Sequence, residues 1–331
     1  MLRFFNITKI IAVCACFFSI GLAYSSPIVR SDGSSTVYPI IEAVAEDFQI
    51  AKRGAVRVTV GISGTGGGFK KFCRDELDVV NASRPITELE MEICKKAGVQ
   101  YIEMPIAIDA LTVVVNPRNN WSKTMTVDQL KQFWEPAAQG RVNSWNQVNA
   151  AWPDKRVKLF GPGADSGTFE YFTEAIVGRA KSSRGDFTAS EDDNVLVQGV
   201  ASDMYALGFF GFAYYIENSK RVHAVAIDSG TGGVLPSAET VENGSYQPLS
   251  RPVFIYVNAR STGKPEIQDF VHFFMDNAAE LVSEVKYFPL SPTIYKLNLE
   301  NMKNNKLGTV FSGESEVGVN IEEAMKHDAR L

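Results

Sequence analysis

The sequence predicts an α/β protein with mainly parallel central sheets, in which both chain ends build one domain and the middle of the chain forms a second, inserted one. Three observations predict this. Segments with strand periodicity alternate with segments of helical periodicity. No stretch rich in Pro, Gly or Ser divides the 331 residues into halves, although that length suits about two domains. Two strongly apolar strands, near residues 105–115 and 250–258, stand where the chain would cross into the inserted domain and return.

The elements follow in order. "VYPIIEAVAEDFQIAK" sets Val37, Ile40, Ile41, Val44, Ala45 and Phe48 at helical spacing, with Ser35 or Thr36 as N-cap. "AVRVTVGIS" (55–63) alternates and is rich in valine, so it reads as a strand. "GGFKKFCRDE" reads as a short helix and "LDVVNAS" (77–83) as another strand. "TELEMEICKKAG" is a helix capped by Thr87 and ended by Gly98, and "VQYIEMPIAIDALTVVVN" reads as two strands. In the middle, "VKLFGP" is a strand and "GTFEYFTEAIVG" a helix with Phe169, Phe172 and Ile176 on one face. "LGFFGFAYY" and "RVHAVAID" read as further strands. "RPVFIYVNA" (251–259) is a strong strand, and "KPEIQDFVHFFMDNA" a helix.

The first residues are of another kind. Arg3 and Lys9 precede an apolar run from Ile10 to Ala23, and small residues follow at Ser25 and Ser26. This predicts a secretory signal peptide over residues 1–25, cut between Ala23 and Ser26. A retained anchor is the alternative. A lipid-anchored form at Cys16 is disfavoured, because the apolar run continues past it. Cys14 and Cys16 leave with the signal. Cys73 and Cys94 remain, and an even count in an exported chain favours a disulfide over two buried thiols. No metal is expected, since His223, His272 and His327 lie far from the cysteines. His223 and His272 sit in apolar patterns and read as packing residues. Net charge is −5 with a pI near 5.4 and no basic block, which speaks against a nucleic-acid partner. Any anion must be bound by local groups, against the overall field.

Three glycine-rich helix starts supply such groups. "DGSSTVYP" (32–39), "SGTGGGF" (63–69) and "GADSGTFEYF" (163–172) each place N–H groups and hydroxyls at a helix N-terminus, where the dipole favours an anion. Two fall in the first domain and one in the inserted domain, so together they point to one anion held in a cleft. "SGTGG" recurs at 229–233 without a helix directly after it. A nucleotide P-loop is excluded, because Gly68 is followed by Phe69 and Lys71 stands where Ser or Thr is needed. A hydrolase elbow needs G-x-S-x-G, and neither Gly61–Thr65 nor Gly163–Ser166 provides it. In "NASRPI" (81–86), Arg84 ends a strand, either as a bidentate oxyanion ligand or as an ordinary exposed arginine.

Together, "SDGSSTVYPI", "SGTGGGFKKFCRDELDVVNASRPI", "GPGADSGTFEYFTEAI", "NVLVQGV", "ALGFFGFAYY" and "PLSRPVFIYV" resemble the periplasmic phosphate-binding proteins of high-affinity phosphate ABC transporters. The resemblance spans nearly all of the chain after the signal. It implies a two-lobed periplasmic binding protein of type II with two hinge strands, and lobes at 26–107 plus 257–331 and at 108–256. It implies a monomer in the periplasm that binds inorganic phosphate without catalysis or cofactor and passes it to a membrane permease. Carried over by position, the ligands are Ser35, Thr36, Ser63 or Thr65 with Gly66, and Ser166, Gly167 and Thr168, with Arg84 added from the residue reading. One departure matters. Arg84 stands where the best-known members carry an aspartate, and Pro162 where they carry an arginine. Asp165 and Asp32 are therefore the candidates to accept the phosphate proton or to partner Arg84. The alternatives are a binder of sulfate or a phosphonate and, from another class, a phosphoester hydrolase.

Overall fold

The computed structural model describes residues 26–34, 36–164, 166–190, 192–311, 321–327 and 329–331. The expected signal peptide, Ser35 and Asp165 lie outside the described residues.

The first lobe opens with β1 (Ile28–Gly33), α1 (Tyr38–Ala51), β2 (Arg57–Val60), α2 (Thr65–Phe72), β3 (Val79–Ala82) and α3 (Glu88–Lys96). Helix α1 buries Ile40, Ile41, Val44, Ala45 and Phe48, as its spacing requires. Helix α3 starts with a reciprocal capping box between Thr87 and Glu90 and stops before Gly98, whose φ is 68°. Cys73, at the end of α2, is bonded to Cys94 of α3.

Strand β4 (Tyr101–Val115) corrects the expectation of two strands. It is one element of 15 residues, buried throughout. The register against its neighbour shifts opposite Pro105 and Ala107, so the proline falls at a bulge instead of ending the strand.

The second lobe holds β5 (Thr124–Thr126), α4 (Val127–Trp134), β6 (Lys158–Gly161), α5 (Gly167–Phe172), β7 (Thr188–Ala189), α6 (Asp193–Ser202), β8 (Ala206–Gly211), α7 (Phe212–Glu217), β9 (His223–Ala224), β10 (Ala226–Asp228), β11 (Gly233–Val234) and α8 (Ala238–Glu242). A π-helical turn, Thr173–Val177, extends α5. "LGFFGFAYY" thus divides at Gly211 into a strand and a helix. The chain returns through β12 (Ser250–Asn258), then forms α9 (Pro265–Glu284), β13 (Phe288–Pro289), α10 (Pro292–Lys303) and α11 (Ile321–Ala324). His223 and His272 are exposed and do not pack in the core.

One sheet joins the lobes in the order β2-β1-β3-β12-β4-β8-β6-β7. Its outer parts are parallel, as βαβ units require. Its centre is antiparallel, because β4 leaves the first lobe where β12 returns to it. The sheet is therefore mixed where mainly parallel sheets were expected. Strand β4 pairs with β12 up to Ala110 and with β8 from Leu111. Residues Phe254–Val257 of β12 already pair with β3, upstream of the boundary expected at 257.

Candidate functional site

The first half of the site is built where β1 and β3 end. Gly33 has φ 145°, and a Cβ there would stand 2.9 Å from the Asn81 nitrogen, so only glycine lets β1 lie this close to β3. The turn that follows is tied down by Ser34, whose N–H donates to Asn81 O (3.0 Å) and whose Oγ accepts from the Thr36 N–H (3.2 Å). Helix α1 then begins at Tyr38 with Val37 at the N-cap position, one residue beyond the cap expected at Thr36.

Helix α2 starts over the same strands. A Cβ on Gly68 would come within 2.7 Å of Gly33 Cα and 2.8 Å of Val80. This close approach seats Thr65 under the loop after β3. Thr65 Oγ1 lies 3.1 Å from Ser83 Oγ and accepts from the Ser83 N–H at 3.2 Å. Ser63 is used differently. Its N–H and Oγ both donate to Asp32 Oδ1, at 2.9 and 2.8 Å. Asp32 also accepts from the Gly33 N–H (2.7 Å) and from Lys71 Nζ (2.5 Å). Burial would push the Asp32 carboxyl up, but Lys71, Ser63 and Gly33 hold it below its ordinary value. Asp32 and Ser63 thus brace the loop between β2 and α2.

Arg84 is neither exposed nor isolated. Its guanidinium forks onto Glu90, with Nη1–Oε2 at 2.8 Å and Nη2–Oε1 at 2.9 Å, and Nη1 also donates to Pro85 O (3.0 Å). Only 23% of its side chain and 13% of that of Glu90 are exposed. Burial would lower the Arg84 pKa, but Glu90 raises it overall; burial would raise the Glu90 pKa, but Arg84, with Thr87, holds it below its ordinary value. Among the described residues the partner of Arg84 is therefore Glu90, whereas Asp32 is engaged with Ser63 and Lys71. The sequence signal of Glu90, a carboxylate three residues after Thr87, is that of a capping box and by itself marks only a helix start. The fork and the Pro85 bond use three of the five guanidinium N–H groups. A Cβ on Gly66 would stand 3.8 Å from Arg84 Nη2, so the first turn of α2 faces this arginine.

The second half comes from the other lobe. Ser166 caps α5, its Oγ accepting from the Thr168 N–H at 3.2 Å. A Cβ on Gly167 would stand 2.7 Å from the Thr36 nitrogen and 2.9 Å from its Cα. Two of the glycine-rich helix starts, one from each lobe, are thus in contact. Tyr287 Oη donates to Thr36 O (2.6 Å) and supports that contact from the first lobe. The further "SGTGG" closes a turn on Asp228, whose Oδ1 accepts from the N–H groups of Gly230 and Gly232 at 2.8 and 3.0 Å.

Two lobes on one sheet, crossed by two strands, with helix starts from both lobes converging, define a solute-binding protein of the two-lobed class. A PBP superfamily domain matches residues 23–278. Protein SphX of Synechocystis sp. is 50% identical over 306 residues, covering 92% of this chain and 91% of its own. The phosphate-binding protein PstS of Staphylococcus saprophyticus is 35% identical over 271 residues, covering 81% and 82%. The crystal structure of a possible phosphate binding protein from Planctomyces limnophilus matches with a TM-score of 0.79 and 46% identity, over 84% of this chain and 98% of that one. The fold is also that of an ABC-type phosphate transport receptor from Vibrio cholerae (TM-score 0.63, 22% identity, 79% and 99% covered). The chain belongs to the PBP superfamily, in the family of the SphX and PstS proteins.

Proposed function

We propose that the protein binds inorganic phosphate between its lobes and delivers it to the membrane permease of a phosphate ABC transporter. The observation that carries this reading is the contact of Gly167 with Thr36 beside the Arg84 loop, which brings N–H groups and hydroxyls of both lobes to one place. The relatives named as phosphate-binding proteins support it. In this reading Ser35, Thr36, Thr65, Gly66, Arg84, Ser166, Gly167 and Thr168 surround the anion, while Ser63 serves the loop through Asp32. The helix starts supply partial positive charge of about half a unit each. Arg84 supplies a full charge that Glu90 already shares, so the anion meets a nearly neutral, donor-rich site. The protein acts by binding and release, without a chemical step, as a monomer in the periplasm. Its lobes are residues 26–107 with the C-terminal part, and the inserted segment from 108 to the return strand. They close on phosphate by bending at β4 and β12.

Titration calorimetry with phosphate, arsenate and sulfate tests the reading. Tight binding of phosphate and arsenate with much weaker sulfate binding is expected. Equal sulfate binding would make the protein a general oxyanion binder, and no phosphate binding would end the proposal. Small-angle scattering should show a smaller radius of gyration with phosphate.

A further inference from the structure

Arg251 is the second residue of the return strand β12 and stands directly opposite Asp109 of β4. It is 8% exposed. Its guanidinium carbon lies 3.6 Å from the ring centre of Tyr171, and its Nη1 lies 3.3 Å from Glu174 Oε2. Among the described residues its Nε is buried without a hydrogen-bond partner, and so is Asp109 Oδ2, 3.9 Å away. Tyr171 and Glu174 belong to the two turns that follow Ser166-Gly167-Thr168, and Tyr171 Oη donates to Pro248 O (2.9 Å). The helix that carries the second half-site is thus gripped from behind by one arginine on a crossing strand. A cavity of about 220 Å³ lies between that grip and the Arg84 loop, lined by Pro85, Tyr171, Glu174, Arg251 and Phe311.

We propose that Arg251 is a positioning residue for the anion, its hold on Tyr171 and Glu174 setting how closely Gly167 approaches Thr36. This rests on the reading that phosphate lies where those two residues meet. Arg251 is too deeply buried among its own partners to serve as a surface charge. A desolvated guanidinium over a tyrosine face is attracted by the ring quadrupole. The planar stack and the reach to Glu174 act together, which an ammonium cannot reproduce. Since the hold acts on the closed geometry, its loss is felt in how fast phosphate leaves more than in how fast it arrives.

The test is phosphate affinity by calorimetry and dissociation rate by stopped-flow fluorescence for Arg251→Met, Arg251→Lys, Glu174→Gln and the double variant Arg251→Met/Glu174→Gln. Arg251→Met should weaken binding about tenfold or more, mainly through faster dissociation, and Arg251→Lys should recover only a small part of this. Glu174 is half-exposed, so its variant should fold. It should weaken binding about threefold alone and add nothing in the Arg251→Met background. A folded Arg251→Met protein that binds within twofold of wild type overturns the proposal. If that variant does not fold, unchanged affinity in Glu174→Gln overturns it. Arg84→Ala is the control. If it binds normally, the site reading fails and the clasp with it. If it loses phosphate while the Arg251 and Glu174 variants keep it, only the clasp is wrong.

Discussion

The two halves of the site are held by opposite means. Around Thr36, Thr65 and Arg84, most bracing bonds run within one stretch of chain: Asp32 to Ser63 and Lys71, Thr65 to Ser83, Arg84 to Glu90, Cys73 to Cys94, with Tyr287 on Thr36 and Tyr256 on Ile86 as the remote additions. The Ser166–Thr168 half sits on a helix of 6 residues whose anchors are remote. Tyr171 is held by Pro248 and Arg251, and Phe172 stacks on Phe209 at 3.6 Å. The difference teaches that the first half is preformed, whereas the second takes its position from the crossing strand. On the proposed reading, phosphate affinity depends on charge and donors in one half and on placement in the other.

The largest expected effect tests the preformed half. Arg84→Ala should weaken phosphate binding by about 2–5 kcal/mol, since it removes the full charge and leaves Glu90 buried without its partner. Arg84→Lys should restore part of this, because the fork onto Glu90 is lost. Calorimetry decides, and affinity within threefold of wild type in the alanine variant would take Arg84 out of the site.

The second effect is on stability. Replacing Cys73 and Cys94 by serine opens a loop whose ends are 21 residues apart and should cost about 3 kcal/mol. The guanidinium midpoint should fall, and the slope should rise because the opened loop exposes more surface in the unfolded chain. An unchanged midpoint would mean that α2 and α3 are held without the bond.

A third effect of about 3 kcal/mol is written in pH. Beneath the Arg84 loop, the Ile86 N–H donates to Tyr256 Oη (2.9 Å), which donates to Glu103 Oε2 (2.7 Å), and Thr309 Oγ1 and the Val310 N–H donate to the same carboxyl. Burial pushes Glu103 up to about 7 despite these donors. Between its ordinary value near 4.5 and about 7, the folded state keeps this proton while the unfolded chain has lost it. Stability from this group is therefore full at low pH and falls as pH rises through that window. Asp109, raised by burial to about 6 at the crossing, adds a slope of the same sign at lower pH. Urea denaturation from pH 4.5 to 7.5 should show Glu103→Gln declining less than wild type by about 3 kcal/mol. Parallel curves would refute a buried neutral Glu103.

The smallest effect separates the halves most cleanly. Gly167→Ala should push α5 off Thr36 and cost about 2 kcal/mol of phosphate affinity, because the new methyl meets backbone atoms that cannot swing aside. Ligand-free stability should hold or rise slightly, since alanine is the better helix former. Loss of stability together with unaltered affinity would invert the proposed division of labour.

Much of this architecture is local and was legible in the sequence. The spacing of Ile40, Ile41, Val44 and Phe48 determines the buried face of α1, and Thr87 and Gly98 determine the ends of α3. The run from Arg251 to Asn258 determines a strand, and the glycines before α1, α2 and α5 mark three helix starts. These features depend on neighbours three or four residues away, so periodicity and cap chemistry report them. The tertiary structure decided what those rules cannot reach. A proline inside an apolar run could end a strand or fall at a bulge, and pairing with β12 made β4 one strand. The residues after Gly211 had strand propensity in sequence, yet they form α7. Glu90 lies only six residues from Arg84, but the turn through Pro85 had to fold before the fork could close. Gly167 meets Thr36, and Arg251 meets Tyr171, only because one sheet register carries both lobes. Partners far apart in the chain are chosen by the geometry of strand pairing, and no local pattern in the sequence encodes that distance.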